Sequence, residues 1–467
     1  MSVDAVVVGS GPNGLVAAVK LAEAGRRVLL LEAADAFGGG LRSAELTLPG
    51  LVHDVGATVM AMALASPALR DLKLKGVEYA HPPLPAAHPL DDRPAVLVHR
   101  DAGRTAAGLG RDAAAWRATA GAAARAGFPL VDLLLRPLGP WPAGLARPSA
   151  LVAAARFGAA AALPATTLGR LAFRTVEGRA VLAGMAAHSL LDLRAPITSG
   201  YGLMLAATAH LVGWPVVKGG SQRLADALVA RLRELGGEAV TGHRVRRLAE
   251  LDAETVVLDV SPRQFLGMAD LPPAYRDRLA RFRHGPGVFK LDWALDGPVP
   301  WRDPAVAGAG TLHLGGTMEE IALSEAETAA GRHSPRPYVL LVQPYAADPT
   351  RGGHTLWAYC HVPNGSTVDM TAPIEAQIER YAPGFRERVL ARHAMGPAEL
   401  EAANPNLVGG DIGGGLASLG QFLKRPVWSP APWRTPLRGV FLCSASTPPG
   451  PGVHGVGGWQ AARLALR

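Results

Sequence analysis

The sequence predicts an α/β fold: a discontinuous Rossmann-type dinucleotide-binding domain joined to an α+β substrate domain and a helical cap. Three observations predict it. A strand, a glycine turn, a helix and a second strand ending in an acid occupy residues 3–32. A second helix-and-strand stretch begins at Gly219-Gly220-Ser221, and the chain closes on a strand, a Gly/Pro turn and a helix. With 467 residues the chain exceeds the roughly 100–200 expected of one domain, so two interleaved domains are expected.

Taken in order, Val3 to Gly9 reads as a strand, Pro12 to Gly25 as a helix closed by its terminal glycine, and Arg27 to Glu32 as the next strand. From about 60 to 215 the composition turns to Ala, Leu and Arg with scattered prolines, which predicts irregular helices rather than a sheet. Ser221 to Leu235 is a strong helix ended by Gly236-Gly237, followed by short strands at Ala239-Val240 and Thr255 to Val260. Ser261-Pro262-Arg263-Gln264 reads as a capping box with proline at the first helical position. Strands are expected at Gly287 to Leu295, Tyr338 to Tyr345 and Thr355 to Val362, then a helical stretch over 371–403. The last strand spans Gly439 to Ser444, with a turn from Ser446 to Gly452 and a helix reaching Leu466. The expected domains are 1–65, 215–270 and 405–467 for the cofactor, 66–214 for the cap, and 271–404 for the substrate sheet.

Composition narrows the classes. Hydrophobic residues make up 49% and charged residues only 18%, against about 25% in an average domain, which describes a globular protein rather than a disordered one. The net charge of +8 comes without a basic run or interleaved aromatics, so nucleic acid is not an expected partner. Cys360 and Cys443 cannot build a disulfide framework, no zinc spacing appears, and a cytoplasmic location is the simplest expectation. The apolar tract Ala150 to Leu163 is shorter than the ~20 residues of a membrane span. It suits peripheral contact with the inner face of a membrane. Neither a G-x-S-x-G elbow nor a P-loop is present.

Gly9-Ser10-Gly11-Pro12-Asn13-Gly14 is the G-x-G-x-x-G fingerprint between a strand and a helix. Its backbone can approach a pyrophosphate at the positive helix N-terminus. Glu32, followed by Ala33, ends the second strand where a carboxylate can accept from ribose hydroxyls and repel a 2′-phosphate. The fingerprint alone does not separate NAD from FAD. The next segment, Gly38-Gly39-Gly40-Leu41-Arg42-Ser43, resembles the extension that follows this acid in amine oxidases, phytoene desaturases and Rab GDP-dissociation inhibitors. Arg42 either meets an anionic or ribityl region or is simply solvated.

The resemblance to this flavoprotein superfamily, and within it to phytoene desaturase-like and pyridine nucleotide-disulphide oxidoreductase domain 2-like proteins, covers nearly the whole chain. Asp54-Val55-Gly56-Ala57-Thr58 looks like the strand that approaches the flavin ring, which implies contacts at Gly56 and Ala57. Val217 to Ser221 and Gly242-His243-Arg244-Val245 are similar to the middle segment, in which the backbone at the Val245 position contacts adenine. Phe441 to Gly455 resembles the C-terminal flavin motif, implicating Ser444, Gly452, Val453 and His454. One departure stands out: relatives often carry an acid where this chain has Ala445, so ribityl contacts fall to Ser444, Ser446 or backbone groups. The resemblance implies FAD; neither Cys360 nor Cys443 has a context that argues for covalent attachment, so noncovalent FAD and no metal are expected.

Candidates for chemistry follow from position. Lys290 is similar in context to the lysine that holds a water near flavin N5 in amine oxidases, and the other reading is a surface or salt-bridging lysine. On Thr355 to Val362, Trp357, Tyr359 and His361 alternate onto one face, either as a wall of the substrate site or as core packing. His454 either acts as a donor, acid or base, or caps the backbone turn. The implied activity is FAD-dependent dehydrogenation or desaturation of a hydrophobic or amphipathic small molecule by hydride transfer to flavin N5. Oxygen, a quinone or a nicotinamide remains open as electron acceptor. Two rivals keep the fold: an FAD-dependent isomerase without net redox, and a binding protein like the GDP-dissociation inhibitors.

Overall fold

The structure is a computed structural model in which residues 3–135 and 148–467 are described. Residues 136–147, in the expected cap, lie outside them. A five-stranded parallel sheet runs in the order Val440–Leu442, Thr255–Leu258, Ala5–Val8, Val28–Leu31 and Glu238–Val240. Its central strands are unbroken runs of Val, Leu and Ala because both faces are covered. Helices Pro12–Glu23, Gln222–Glu234 and Val456–Ala465, from three separated stretches of chain, cover the face of Ala5 and Val7, and helices Pro262–Met268 and Pro273–Ala280 pack against the face of Val6 and Val8.

The second sheet has seven strands: Val389–Met395, Gly287–Leu295, His354–Val362, Val339–Val342, Ala309–Leu314, Leu84–His88 and Val96–Val98. Pairing is antiparallel except between Ala309–Leu314 and Leu84–His88. Alternation along His354–Val362 divides its side chains. Leu356, Ala358, Cys360 and Val362 join the core with Ile374 and Ile378 of helix Thr371–Tyr381, and Trp357 and Tyr359 face the other way.

Three expectations are corrected. Residues 84–98 belong to the second sheet rather than to the helical region. Pro85 and two alanines hide the strand in sequence, and pairing with Ala309–Leu314 overrides the weak local preference. Val389–Met395 is an edge strand, not helix, and Leu390 is 60% exposed because one face of that edge meets solvent. At Ser261 only half of the capping box forms. Ser261 Oγ accepts from Gln264 N, but the Ser261 N–H is taken by Asn406 Oδ1 at 2.6 Å. That bond ties the helix start to the loop beside the cavity.

Between the sheets, Arg351 is fully buried and donates to Asp54 Oδ2 (2.7 Å), Asp348 Oδ2 (3.1 Å) and the Val217 carbonyl (3.1 Å). Burial alone would raise the Asp54 pKa, but Arg351, Ser221 and Ser43 hold it below the usual carboxylate range. This network pins the segment that leads into Gly56 and Ala57. An apolar helical stretch, Gly110–Leu135, has the length of a membrane span. It is broken at Gly127 (φ +64) and sends Trp116 and Leu130 into the core.

Candidate functional site

A cavity of about 990 Å³ runs from the C-terminal edge of the parallel sheet to the face of the second sheet. Its volume lies at the upper end of the roughly 300–1,000 Å³ usual for ligand sites. At one end Gly9, Gly11, Pro12 and Asn13 line it beside Glu32, Ala33 and Val245. Gly9 (φ +93) makes the turn, and a Cβ on Gly14 would strike the Gly9 carbonyl, so this turn needs glycine at both ends. Gly14 and Gly38 sit behind the wall rather than on it, and the Gly38 N–H donates to Ser10 Oγ at 3.0 Å.

Glu32 accepts from Ser10 N (2.9 Å), Ser10 Oγ (2.5 Å) and Ala34 N (2.9 Å). A carboxylate offers about four acceptor positions, so one remains for a ribose hydroxyl. Arg42 lines the cavity and is not merely solvated. Its Nη2 donates to the Ala403 carbonyl at 2.8 Å and its Nε to Gly39 O at 3.3 Å. Gly39, Gly56, Ala57, Ser444, Gly452 and Val453 also line the cavity. These groups fit a dinucleotide: a glycine cradle at a helix N-terminus, a ribose acceptor and a backbone-lined channel.

Beyond the channel stand Lys290, Tyr359 and Trp357. Trp357 Nε1 donates to Thr58 Oγ1 at 2.8 Å, which fixes the indole, and the Tyr359 ring stacks beside it at 5.8 Å and 22°. The Lys290 ammonium donates to both oxygens of Asp292, and both residues are buried. It also lies 5.4 Å from the Trp357 ring centre. Lys290 is therefore a cavity lysine held by an ion pair, not a surface one.

Two candidates are corrected. His361 is not on the cavity wall: it lies one step further along its strand, with Nδ1 2.8 Å from Glu325 Oε2. His454 is also outside it. Its Nε2 pairs with the Gly450 carbonyl (3.1 Å), its Nδ1 accepts from Val456 N (3.1 Å), and burial pushes its pKa down to about 4. With both nitrogens committed to backbone, His454 shapes the turn and has no proton to exchange with a ligand. Burial likewise pushes up the Cys443 and Cys360 thiols, and neither lines the cavity. A thiol reagent such as DTNB should therefore titrate no cysteine in the native protein and two after denaturation.

Sequence reasoning missed Asp259, His188 and Trp214, all on the cavity wall. Asp259 Oδ2 accepts from Gly14 N at 3.0 Å, and a Cβ on Gly11 would come within 2.5 Å of it. The carboxyl thus sits at the amides of the cradle itself. Burial, with a smaller contribution from Glu32, pushes its pKa up to about 7.

Comparison with known proteins agrees with this architecture. Residues 7–72 match the family of NAD(P)-binding Rossmann-like domains. The rat pyridine nucleotide-disulfide oxidoreductase domain-containing protein 2 is 28% identical over 318 residues, 58% of this chain and 54% of that protein. The chain thus spans about half the length of that relative. Hydroxyneurosporene desaturase of Rhodobacter capsulatus is 48% identical over 59 residues, 13% of this chain and 12% of that one. Among solved structures, cyclohexylamine oxidase from Brevibacterium oxydans aligns over all of this chain and 99% of its own, with a TM-score of 0.58 and 16% identity. That last likeness is one of fold.

Proposed function

We propose that the chain is an FAD-dependent oxidoreductase of a hydrophobic or amphipathic small molecule, of the superfamily that holds the amine oxidases and phytoene desaturase-like proteins, a reading supported by the matches reported above. One observation carries the reading: the cavity is unbroken from the glycine cradle and Glu32 to Lys290, Trp357 and Tyr359. Glu32 would hold the adenosine ribose, the backbone at Val245 the adenine, and Gly56, Ala57, Ser444 and Gly452 the region of the ring, all without a covalent bond. Bound FAD supplies a hydride acceptor.

The chain's own residues supply position and dryness. Trp357, held by Thr58, and Tyr359 present flat apolar faces against which a hydrocarbon can lie. Leu340 and Val342 continue that wall and exclude water. Lys290, kept in place by Asp292, is the group that can hold a water or move a proton at its Nζ.

The test is the visible spectrum of the purified protein with added FAD, followed through dithionite reduction and exposure to air. Flavin bands that remain with the protein on desalting, bleach and return are expected, and the rate of return separates an oxidase from a dehydrogenase. A protein that stays colourless in excess FAD would overturn the proposal and favour a binding role for the fold.

A further inference from the structure

The far end of the cavity carries polarity that the reading above leaves unused. On the cavity face of the second sheet, Lys290, Tyr359, Leu340 and His313 stand in register on neighbouring strands. Three strand spacings of about 4.8 Å place His313 roughly 14 Å from Lys290. His188 ends helix Val176–Ala187, lines the cavity, and packs edge-on against His313 and Trp214. Thr311, on the same face as His313, adds to that wall a buried hydroxyl with no protein partner.

The tautomers follow from counting partners. His188 Nε2 and His313 Nε2 are 2.9 Å apart, so one ring donates and the other accepts. Burial pushes both pKa values down, His188 to about 3, so both rings are neutral at pH 7. His313 Nδ1 is buried without a partner. A buried N–H left unpaired is rarer and costlier than an unpaired acceptor, so His313 carries its proton on Nε2 and gives it to His188. His188 then carries its own proton on Nδ1, which has no protein acceptor among the described residues. Among those residues, the carboxylates on the cavity wall are Glu32 and Asp259, both at the nucleotide end.

We propose that the substrate carries an uncharged acceptor oxygen, as a carbonyl or hydroxyl, seated on His188 Nδ1–H, with its hydrocarbon body along Leu340 and Val342 toward Lys290. An ammonium would find no counter-charge at this end of the cavity and would meet the Lys290 cation at the other. This deepens the oxidoreductase reading and rests on it. His188 is a specificity residue here, and His313 positions it.

The experiment is calorimetric titration of the FAD-saturated protein with three rigid probes of one shape: 2-adamantanone, 2-methyleneadamantane and 2-adamantylamine. The ketone should bind roughly five- to tenfold more tightly than the isosteric hydrocarbon, and the amine no better than the hydrocarbon. In His188→Phe, which keeps a ring against Trp214, the ketone advantage should vanish while hydrocarbon affinity is kept. His188→Gln should restore part of the ketone advantage. Equal binding of ketone and hydrocarbon, tightest binding of the amine, no binding of any probe, or a ketone preference that survives His188→Phe would each overturn the proposal. The wild-type order is decisive even if a variant fails to fold. FAD uptake is read first, so failure to bind FAD sinks the oxidoreductase reading, whereas loss of probe selectivity in the flavin-loaded protein sinks only this inference.

Discussion

Replacing Asp259 by Asn is expected to remove a large pH dependence from both the stability of the flavin-free protein and its affinity for FAD. The carboxyl is buried among the cradle amides and its pKa is pushed up from 3.8 to about 7. The folded state therefore holds a proton that the unfolded chain releases between those values. Stability contributed at this site is fully present below pH 4, falls as pH rises to 7, and is flat above. At 1.36 kcal/mol per pKa unit, the loss is roughly 4 kcal/mol. The difference in melting temperature between wild type and Asp259→Asn, followed from pH 4 to 8, should trace that fall, with Asn the more stable protein at pH 8. A pyrophosphate at the same amides would disfavour the carboxylate further, so binding above pH 7 should take up one proton. FAD affinity should then fall by up to roughly tenfold per pH unit above 7 in the wild type and much less in Asp259→Asn. Titrations in buffers of different ionisation enthalpy would count the proton. Parallel pH profiles for the two proteins would show that Asp259 does not titrate in this range.

Why Asp259 was illegible and the glycine cradle was not is a matter of range. Gly9, Gly11, Gly14 and Glu32 lie within one strand–helix–strand unit whose geometry is set by neighbours, so their spacing carries the information. Asp259 reaches Gly14 across 245 positions, and nothing in the run Thr255 to Val260 marks which side chain will face the cradle. Period-two alternation correctly put Trp357, Tyr359 and His361 on one face, but it does not say where along the strand the cavity ends. The same limit applies to His454. Its turn borders the cavity at Gly452 and Val453, and only the backbone path shows that the ring turns inward to Gly450. The edge strand Val389–Met395 was hidden because it is built of helix-tolerant residues and owes its form to pairing with Gly287–Leu295.

Asp292→Asn should be among the most destabilising single substitutions in the second sheet, because it strands a charge. Lys290 and Asp292 share one face of their strand at i and i+2, both buried, and the ammonium donates to both carboxylate oxygens. His53 Nδ1 at 3.6 Å and His393 Nδ1 at 4.0 Å are the other titratable groups beside Asp292, and neither replaces its charge. Taking two ions out of water is costly, and their attraction roughly offsets that cost only while both are present. Losing one partner should cost about 3–5 kcal/mol, whereas replacing both by apolar groups of similar size should cost far less. The double variant Lys290→Met, Asp292→Leu should therefore unfold at higher denaturant than Asp292→Asn alone. Additive losses would mean that the two side chains do not depend on one another. The same comparison separates scaffold from chemistry. If Lys290 serves the reaction, the double variant should retain FAD and a folded sheet but lose turnover, because the apolar pair rebuilds the wall without returning a group able to hold a water or move a proton.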